Sequence, residues 1–498
     1  MKQFKIPKEI AEIVSILMKA GYEAYIVGGC VRDLLLGREP KDWDIATDAK
    51  PDEIQKLFPD SVYENYFGTV GVKIPTPEGV GTPTVSVGAS IVEVTTFRRE
   101  EKYSDLRHPD KIEFTKSIEE DLTRRDFTIN AIALNTSNQK LGIRDPFGGK
   151  EDLEGKLIRA VHDPEKRFSE DALRLIRAAR FASELDFRIE EKTAIAIKRS
   201  ANLLEKIAKE RIRDEFTKII LAPEKGPYNG MIQLEELDLL KHIVPELREG
   251  IGVAQNKHHI YTVWEHNLLA LDYAASKNYS LEIRLASLLH DIGKPRTKAG
   301  EGLDSTFYNH EVVGAKMTKA ILTRLHFSNK VIEKVTHLVR THLFYYNVGE
   351  VTPAGVRRFL NRVGEENVED LLKVREADRI GSGVPKAFPY KLRHLKFMIE
   401  KVKTDPISPK MLEIKGDEIM KILKIPPGPR IGWALNILLE EVLDDPARNE
   451  REYLVSRIKN LGELKDKELR ETSEKARGRK EEFEMGVEEE MKKKYYVR

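Results

Sequence analysis

The sequence predicts an α+β protein, with a small mixed sheet in about the first 150 residues and helices almost to the end. Three observations carry this expectation. Short β-branched or aromatic runs, at Tyr25 to Val27, Lys41 to Ala46, Thr69 to Ile74 and Ser90 to Phe97, crowd the N-terminal part. From Ser169 onward Leu173, Ile176, Ala179 and Leu185 recur at helical spacing, and similar patterns continue downstream. The chain has 498 residues, which at roughly 150 residues per domain suggests about three domains.

In chain order, Ile10, Ile13, Ile16 and Leu17 predict an amphipathic helix within residues 1–20, ended by Gly21. The strand Tyr25 to Val27 runs into Gly28-Gly29, and Val31 to Leu36 reads as a helical turn closed by Gly37. Thr76 to Gly88, rich in Gly, Pro and Thr, reads as a hairpin tip between two strands. The segments that follow from these texture changes are a mixed head (1–150), helical units at 151–225, 226–404 and 405–460, and a charged extension (461–498). The 405–460 unit is broken by Pro426-Pro427-Gly428-Pro429. The extension, poor in apolar residues, reads as an exposed or frayed helix or as a helix awaiting a partner.

Composition excludes several classes. Lys and Arg total 84 against 82 Asp and Glu, a formal charge of +2, yet basic residues can still cluster on one face for a nucleic-acid partner. No apolar stretch approaches the ~18 residues of a membrane span, so no membrane partner is expected. The N-terminus MKQFKIPKEI has no apolar export segment. A single cysteine, Cys30, excludes a disulfide framework and a cysteine-rich zinc site, and fits a reducing, cytoplasmic setting.

Three features of the head carry chemistry. Gly28-Gly29, followed by Arg32, sits at a strand-to-helix turn where backbone N–H groups can approach a phosphate; ligand-free turn glycines look the same. Asp42 and Asp44 flank Trp43, and on a strand both carboxylates project from one face, an arrangement that suits Mg²⁺ or, equally, a solvated acidic turn. In Arg124-Arg125-Asp126-Phe127-Thr128-Ile129-Asn130, paired arginines can hold a triphosphate or make ordinary ion pairs.

Taken with Asp145-Pro146-Phe147-Gly148-Gly149 and Asp152-Leu153, these stretches resemble in order and spacing the class II tRNA nucleotidyltransferases, the bacterial CCA-adding enzymes and their poly(A) polymerase relatives. Gly416-Asp417, Pro426 to Pro429, Ile431-Gly432 and Ala434 to Asp445 extend the resemblance, which covers about residues 20–460. Cys30 stands where that family usually has a small residue. The resemblance implies a polymerase-β-like nucleotidyltransferase palm, followed by an all-α neck, a body and a tail. Asp42 and Asp44 would be catalytic and hold Mg²⁺, with Glu93 either a third carboxylate or a structural residue. Gly28, Gly29, Arg32, Arg125, Asp126 and Asn130 would bind the nucleotide.

Asp171, Arg174, Arg177 and Arg180 are spaced by three and predict one stripe on a helix, in isolation an ion-paired surface. The resemblance implies that Glu170-Asp171-x-x-Arg174 reads the incoming base. A carboxylate only accepts and a guanidinium only donates, so the pair suits cytosine and adenine and rejects uracil and guanine. Arg177 and Arg180 would orient that pair or meet phosphates. Arg99 to Pro109, with Tyr103, Asp105, Arg107 and His108, matches the place of the family loop linked to switching from C to A. Lys209, Arg211 and Arg213 read as phosphate contacts or a solvated helix face.

His266, His290-Asp291, His310, His342 and Asp378 follow in an order that resembles the HD phosphohydrolase superfamily. The resemblance implies a core metal set of His266, His290, Asp291 and Asp378, with His310 and His342 as the extra ligands of two-metal members; His337 competes with His342. Imidazole with carboxylate suits Ni²⁺, Mn²⁺, Fe or Zn²⁺. The leading expectation is a CCA-adding enzyme using CTP and ATP on tRNA, with a phosphohydrolase activity. A poly(A) polymerase or A-adding enzyme, and an HD phosphohydrolase with an RNA-binding head, are the alternatives.

Overall fold

The computed structural model describes residues 4–65, 68–74, 90–101, 111–135, 142–255, 260–349, 351–384, 389–403 and 412–476. The expected hairpin tip, most of the Arg99 to Pro109 loop and the extension beyond 476 lie outside these. Contacts divide the chain into two compact units, residues 1–342 with 370–385 and residues 343–369 with 386–498, so the division falls inside the 226–404 segment.

The first unit carries the sheet. Its strands are β1 (Ala24–Val27), β2 (Asp44–Thr47), β3 (Ser61–Asn65), β4 (Thr69–Ile74), β5 (Ser90–Thr96), β8 (Ala133–Asn135) and β9 (Gly142–Arg144), in the order β3-β4-β5-β2-β1-β8-β9. Within this sheet, among the described residues, β2 and β5 pair in parallel and the other neighbours antiparallel, so the sheet is mixed, as expected. β1 is an interior strand, paired on both sides, and all four of its side chains are buried, in keeping with the largely apolar run Ala-Tyr-Ile-Val. Phe97, Leu122, Ala131 and Val161 pack with Tyr25 and Val27 of this strand. Two further strands, β6 (Arg98–Glu101) and β7 (Lys111–Phe114), form a separate antiparallel pair that sets Glu101 beside Lys111.

At the β1 exit the backbone of Gly28 turns to φ +78, a conformation that a side chain disfavours, and the helix Gly29–Leu35 begins at once. The strand expected over Lys41 to Ala46 starts later, at Asp44. Asp42 lies in the bend before it, so the two carboxylates do not share a regular strand face. Helices then continue through the unit, including Pro164–Glu170, Leu173–Leu185, Lys209–Ile220, Val263–Ser276, Leu281–Leu289, His310–Arg324 and Asn329–Thr341. Among the described residues no helix is long and apolar enough to cross a membrane.

In the second unit, helices Gly416–Leu423, Pro429–Asp444 and Arg451–Gly462 enclose Ile419, Leu438, Leu454 and Ile458. Pro429 opens its helix at the first position, where a missing N–H costs nothing. The expectation of a frayed or partner-seeking helix after residue 461 is corrected for 466–476: this stretch is helical and buries Leu469 and Ala476 in the same core. Its few apolar residues are spaced seven apart, enough to seat one face. Leu469→Ala therefore lowers stability by about 2–5 kcal/mol, whereas exposed Lys467→Ala changes it by less than about 0.5 kcal/mol; chemical denaturation of the two variants checks this.

Candidate active site and histidine cluster

A cavity of about 940 Å³ opens in the first unit, and every predicted nucleotide-site residue lines it, from Gly28, Asp42 and Asp44 to Asp171 and the three arginines after it. The head supplies one wall. A Cβ on Gly28 would lie 2.9 Å from Arg125 Nη1 and 3.3 Å from Asp44 Oδ2, so glycine is what lets these two groups close over the turn. Burial raises the Asp44 pKa; Arg125 opposes the rise and the charge of Asp42 adds to it. Asp44 also faces Glu93 in the parallel β2–β5 register, which puts a third carboxylate-bearing position beside it. The buried Cys30 thiol donates to Val27 O at 3.0 Å, and burial pushes its pKa up to about 11.

A chain of side chains crosses from the head to the helical wall. Arg32 Nη1 donates to Asn130 Oδ1 (2.9 Å), and Asn130 Nδ2 donates to Asp126 Oδ1 (3.1 Å). Arg177 then donates from Nε (2.9 Å) and Nη2 (2.6 Å) to Asp126 Oδ2. Burial alone would raise Asp126, but Arg177 and the Asn130 amide outweigh it and hold the carboxyl well below its usual range. Arg125 meets Asp121, and Arg124 bonds both Asp121 and Glu100 of β6.

The predicted four-residue stripe is corrected. Arg174, Arg177 and Arg180 lie on helix Leu173–Leu185, but Asp171 precedes it, in extended backbone that ends helix Pro164–Glu170. The physical reason is capping: Asp171 Oδ1 accepts from Leu173 N at 3.0 Å, which an aspartate does at a helix start and not within one. Asp171 and Arg174 do not bond each other through side chains. Arg211 grips Asp171 (3.1 Å), while Arg174 donates to Glu170 (2.8 Å) and to the carbonyls of Arg167 and Arg124. Arg180 is held by Glu215 and Glu184 and lies over the Phe181 ring.

The sequence reading missed Glu170, Asp121 and Glu215 as holders of these arginines. Glu215 had a signal: it stands beside Phe216 on the face of Lys209–Ile220 that buries Ile212 and Ile219, a position where a carboxylate needs a cation. Arg211 serves a partner within the protein, and Arg213 bonds Asp214 and His326 O.

The histidines also converge. His266, His290, Asp291 and Asp378 bring donor atoms within 4.8 Å of one another, as do Asp291, His310 and His342. Asp291 belongs to both sets: Oδ2 lies 3.1 Å from His266 Nε2 and 3.3 Å from His290 Nε2, and Oδ1 lies 3.3 Å from His310 Nε2 and 3.6 Å from His342 Nε2. His337 lies outside both sets.

The donor set fits a metal on a specific observation. His290, His310 and His342 each face the carbonyl of the residue three before them with Nδ1, at 2.8, 2.7 and 2.7 Å. A carbonyl only accepts, so each Nδ1 carries the proton and each Nε2 is left to bind inward. His266 and His290 bring their Nε2 atoms to 2.9 Å, so both ring nitrogens point at the same spot. Burial disfavours charge on His290, yet Asp291 and Asp378 outweigh it and push its pKa up to about 10. The palm fits a hard cation by its chemistry, since its donors are all carboxylate oxygens.

Comparison with known proteins identifies the class. Residues 24–159 match the family described as poly A polymerase head domain, residues 186–251 a probable RNA and SrmB-binding site of polymerase A, and residues 308–458 a putative domain 2 of tRNA nucleotidyltransferase. The chain is thus a nucleotidyltransferase with a poly(A)-polymerase-type head. It is 33% identical over 470 residues to the CCA-adding enzyme of Enterococcus faecalis, covering 92% of this chain and 97% of that protein. It is 50% identical over 211 residues to the Lactobacillus helveticus CCA-adding enzyme, covering 42% of this chain and 49% of that one. The Bacillus stearothermophilus CCA-adding enzyme in complex with CTP superposes with a TM-score of 0.58 at 28% identity, covering 91% and 96% of the two chains. The Thermotoga maritima enzyme complexed with tRNA shares the fold at a TM-score of 0.50 and 23% identity, covering 92% and 97%. The chain belongs to the class II CCA-adding enzymes.

Two outcomes follow from the site. Arg177→Met leaves the buried Asp126 carboxylate without its guanidinium and lowers stability by about 3 kcal/mol, read from urea denaturation. The Cys30 thiol stays unreactive toward a thiol-specific reagent at pH 8 in the native protein and reacts in denaturant.

Proposed function

We propose that this chain adds C, C and A in turn to the 3′ end of tRNA, from CTP and ATP and without a nucleic-acid template. The observation that carries the proposal is the single cavity that holds Asp42 and Asp44 against an arginine-rich helical wall. Asp42 and Asp44, with Glu93 beside them in register, would hold Mg²⁺. Bound there, Mg²⁺ would lower the pKa of the primer hydroxyl and neutralise charge on the triphosphate and departing pyrophosphate.

Gly28, Gly29, Arg32 and Arg125 border the carboxylates and would receive the phosphates. Asp126 and Asn130 would fix the sugar end of the nucleotide through the chain that links them to Arg32 and Arg177. Asp171 would accept the amino group of cytosine or adenine, and Arg174 would donate to the neighbouring ring acceptor. Their separate anchors support this, since each is oriented without consuming the other. Uracil and guanine would set a carbonyl against the carboxylate and be refused. Arg177 and Arg180, tied to Asp126 and Glu215, would orient the readers instead of meeting phosphates. The helical domains would grip tRNA by shape and backbone.

Incubating the purified chain with tRNA that ends at the discriminator base, with each NTP singly and in combination, tests this. C-C-A is the expected product; long A tails or the absence of C addition would instead assign an A-adding enzyme or poly(A) polymerase. Asp42→Ala/Asp44→Ala is expected to lower the rate by at least about 10³-fold, and persistent addition would remove the palm assignment.

A second activity, hydrolysis of phosphate esters, is favoured by the fixed Nδ1 donors and the shared Asp291. His266, His290 and Asp378 would hold one metal, His310 and His342 another, with Asp291 common to both. A divalent transition metal, Ni²⁺, Mn²⁺, Fe or Zn²⁺, would supply activated water when bound. His290→Ala/Asp291→Ala is expected to abolish metal-dependent phosphodiesterase activity while CCA addition continues; loss of neither would remove this reading.

A further inference from the structure

We infer that Lys294, assisted by Arg375, sets which metal the histidine cluster accepts by occupying its carboxylate oxygens with fixed positive charge. The inference rests on the reading of that cluster as a metal centre.

The cluster holds two carboxylates, and each already has a cationic partner. Lys294 Nζ lies 2.6 Å from Asp291 Oδ2, and Arg375 Nη1 donates to Asp378 Oδ2. Lys294 is only 7% exposed, an unusual place for an ammonium group. It is held there by a buried amide: Gln255 Oε1 accepts from Nζ at 2.6 Å. Gln255 is oriented in turn by donating from Nε2 to the carbonyls of Tyr261 (3.2 Å) and Thr262 (3.4 Å). Thr262 caps the helix Val263–Ser276 that presents His266. The lysine is thus positioned by the same helix start as a metal ligand.

Charge accounting then separates the candidate metals. Two carboxylates beside one ammonium and one guanidinium sum to zero, so the cluster offers a cation little net negative charge. A hard ion such as Mg²⁺ depends on anionic oxygen and loses most from this neutralisation. A borderline ion such as Ni²⁺ or Zn²⁺ still finds imidazole nitrogens, which the lysine does not touch. The palm is the converse, with Asp42 and Asp44 as its oxygen donors and no histidine among its lining residues. The lysine therefore keeps Mg²⁺ at the palm and reserves the cluster for a nitrogen-seeking metal.

The test uses the full-length chain carrying Asp42→Ala/Asp44→Ala, which silences the palm for Mg²⁺. After removal of metal with a chelator, Ni²⁺ and Mg²⁺ are titrated separately by calorimetry. Removal of the ammonium charge in Lys294→Met is expected to tighten Ni²⁺ binding about tenfold and Mg²⁺ binding by more, so that the Ni²⁺-over-Mg²⁺ preference narrows. Arg375→Gln is expected to act in the same direction to a smaller extent. Unchanged or weaker binding in Lys294→Met, with the metal-free circular dichroism spectrum intact, would overturn the inference and leave the metal centre standing. Should Lys294→Met fail to fold, Arg375→Gln decides alone, and an unaltered preference in it overturns the inference. If the parent binds no Ni²⁺, or binds it equally well after His290→Ala/Asp291→Ala, the metal centre itself is wrong and the inference falls with it.

Discussion

The ion pair between Asp126 and Arg177 is the joint on which the active-site cavity depends. Asp126 follows the paired arginines of the head, and Arg177 lies on the helix that forms the opposing wall. A buried carboxylate is costly without a partner and directional with one. Two donors from one guanidinium onto one oxygen fix both distance and angle between the walls. Asn130 and Arg32 continue the connection back toward the glycine turn, so a displacement at the helical wall would be felt beside Asp44.

The same logic explains why a chain with a formal charge of only +2 can face polyanions. Five of the cavity arginines are tied to a carboxylate: Arg32 to Asp33, Arg125 to Asp121, Arg174 to Glu170, Arg177 to Asp126 and Arg180 to Glu215. Such pairs give up raw attraction and gain orientation. A guanidinium has five N–H donors, so one held by a carboxylate still presents others at a set angle. Selectivity between bases needs that fixed angle more than it needs charge.

The histidine cluster uses a different device. Three of its four imidazoles are aimed by backbone carbonyls three residues earlier, a local contact available where a helix starts or ends. His290 and His342 sit at helix C-terminal caps and His310 at a helix start. Each of these three thus carries its own orientation, while His266 is presented from within its helix. The two sites differ accordingly: carboxylates alone beside the cavity, against imidazoles joined by two carboxylates and buried among helices.

Much was legible in the sequence. β-branched runs located β1, β4 and β5, and Gly28-Gly29 marked the turn between β1 and its following helix, because period, branching and a positive φ are local properties. The Asp-x-Asp, Arg-Arg-Asp and His-Asp motifs named most of the residues that meet in the two sites. The sequence reading did not find β3, β6, β7, β8 or β9, which are three to five residues long and gain their definition from pairing with neighbours. By counting in threes it sets Asp171 on a helix, whereas the residue's local bond from Leu173 N and its tertiary pair with Arg211 place it before one. It read 466–476 as frayed, since two apolar residues say nothing until a core receives them. Residue type and spacing alone determined which chemical groups this protein has and which are neighbours along one element. Only the tertiary structure decided which carboxylates Arg177, Arg180 and Arg211 answer to, because Asp126, Glu215 and Asp171 stand tens of residues from them and are selected by burial.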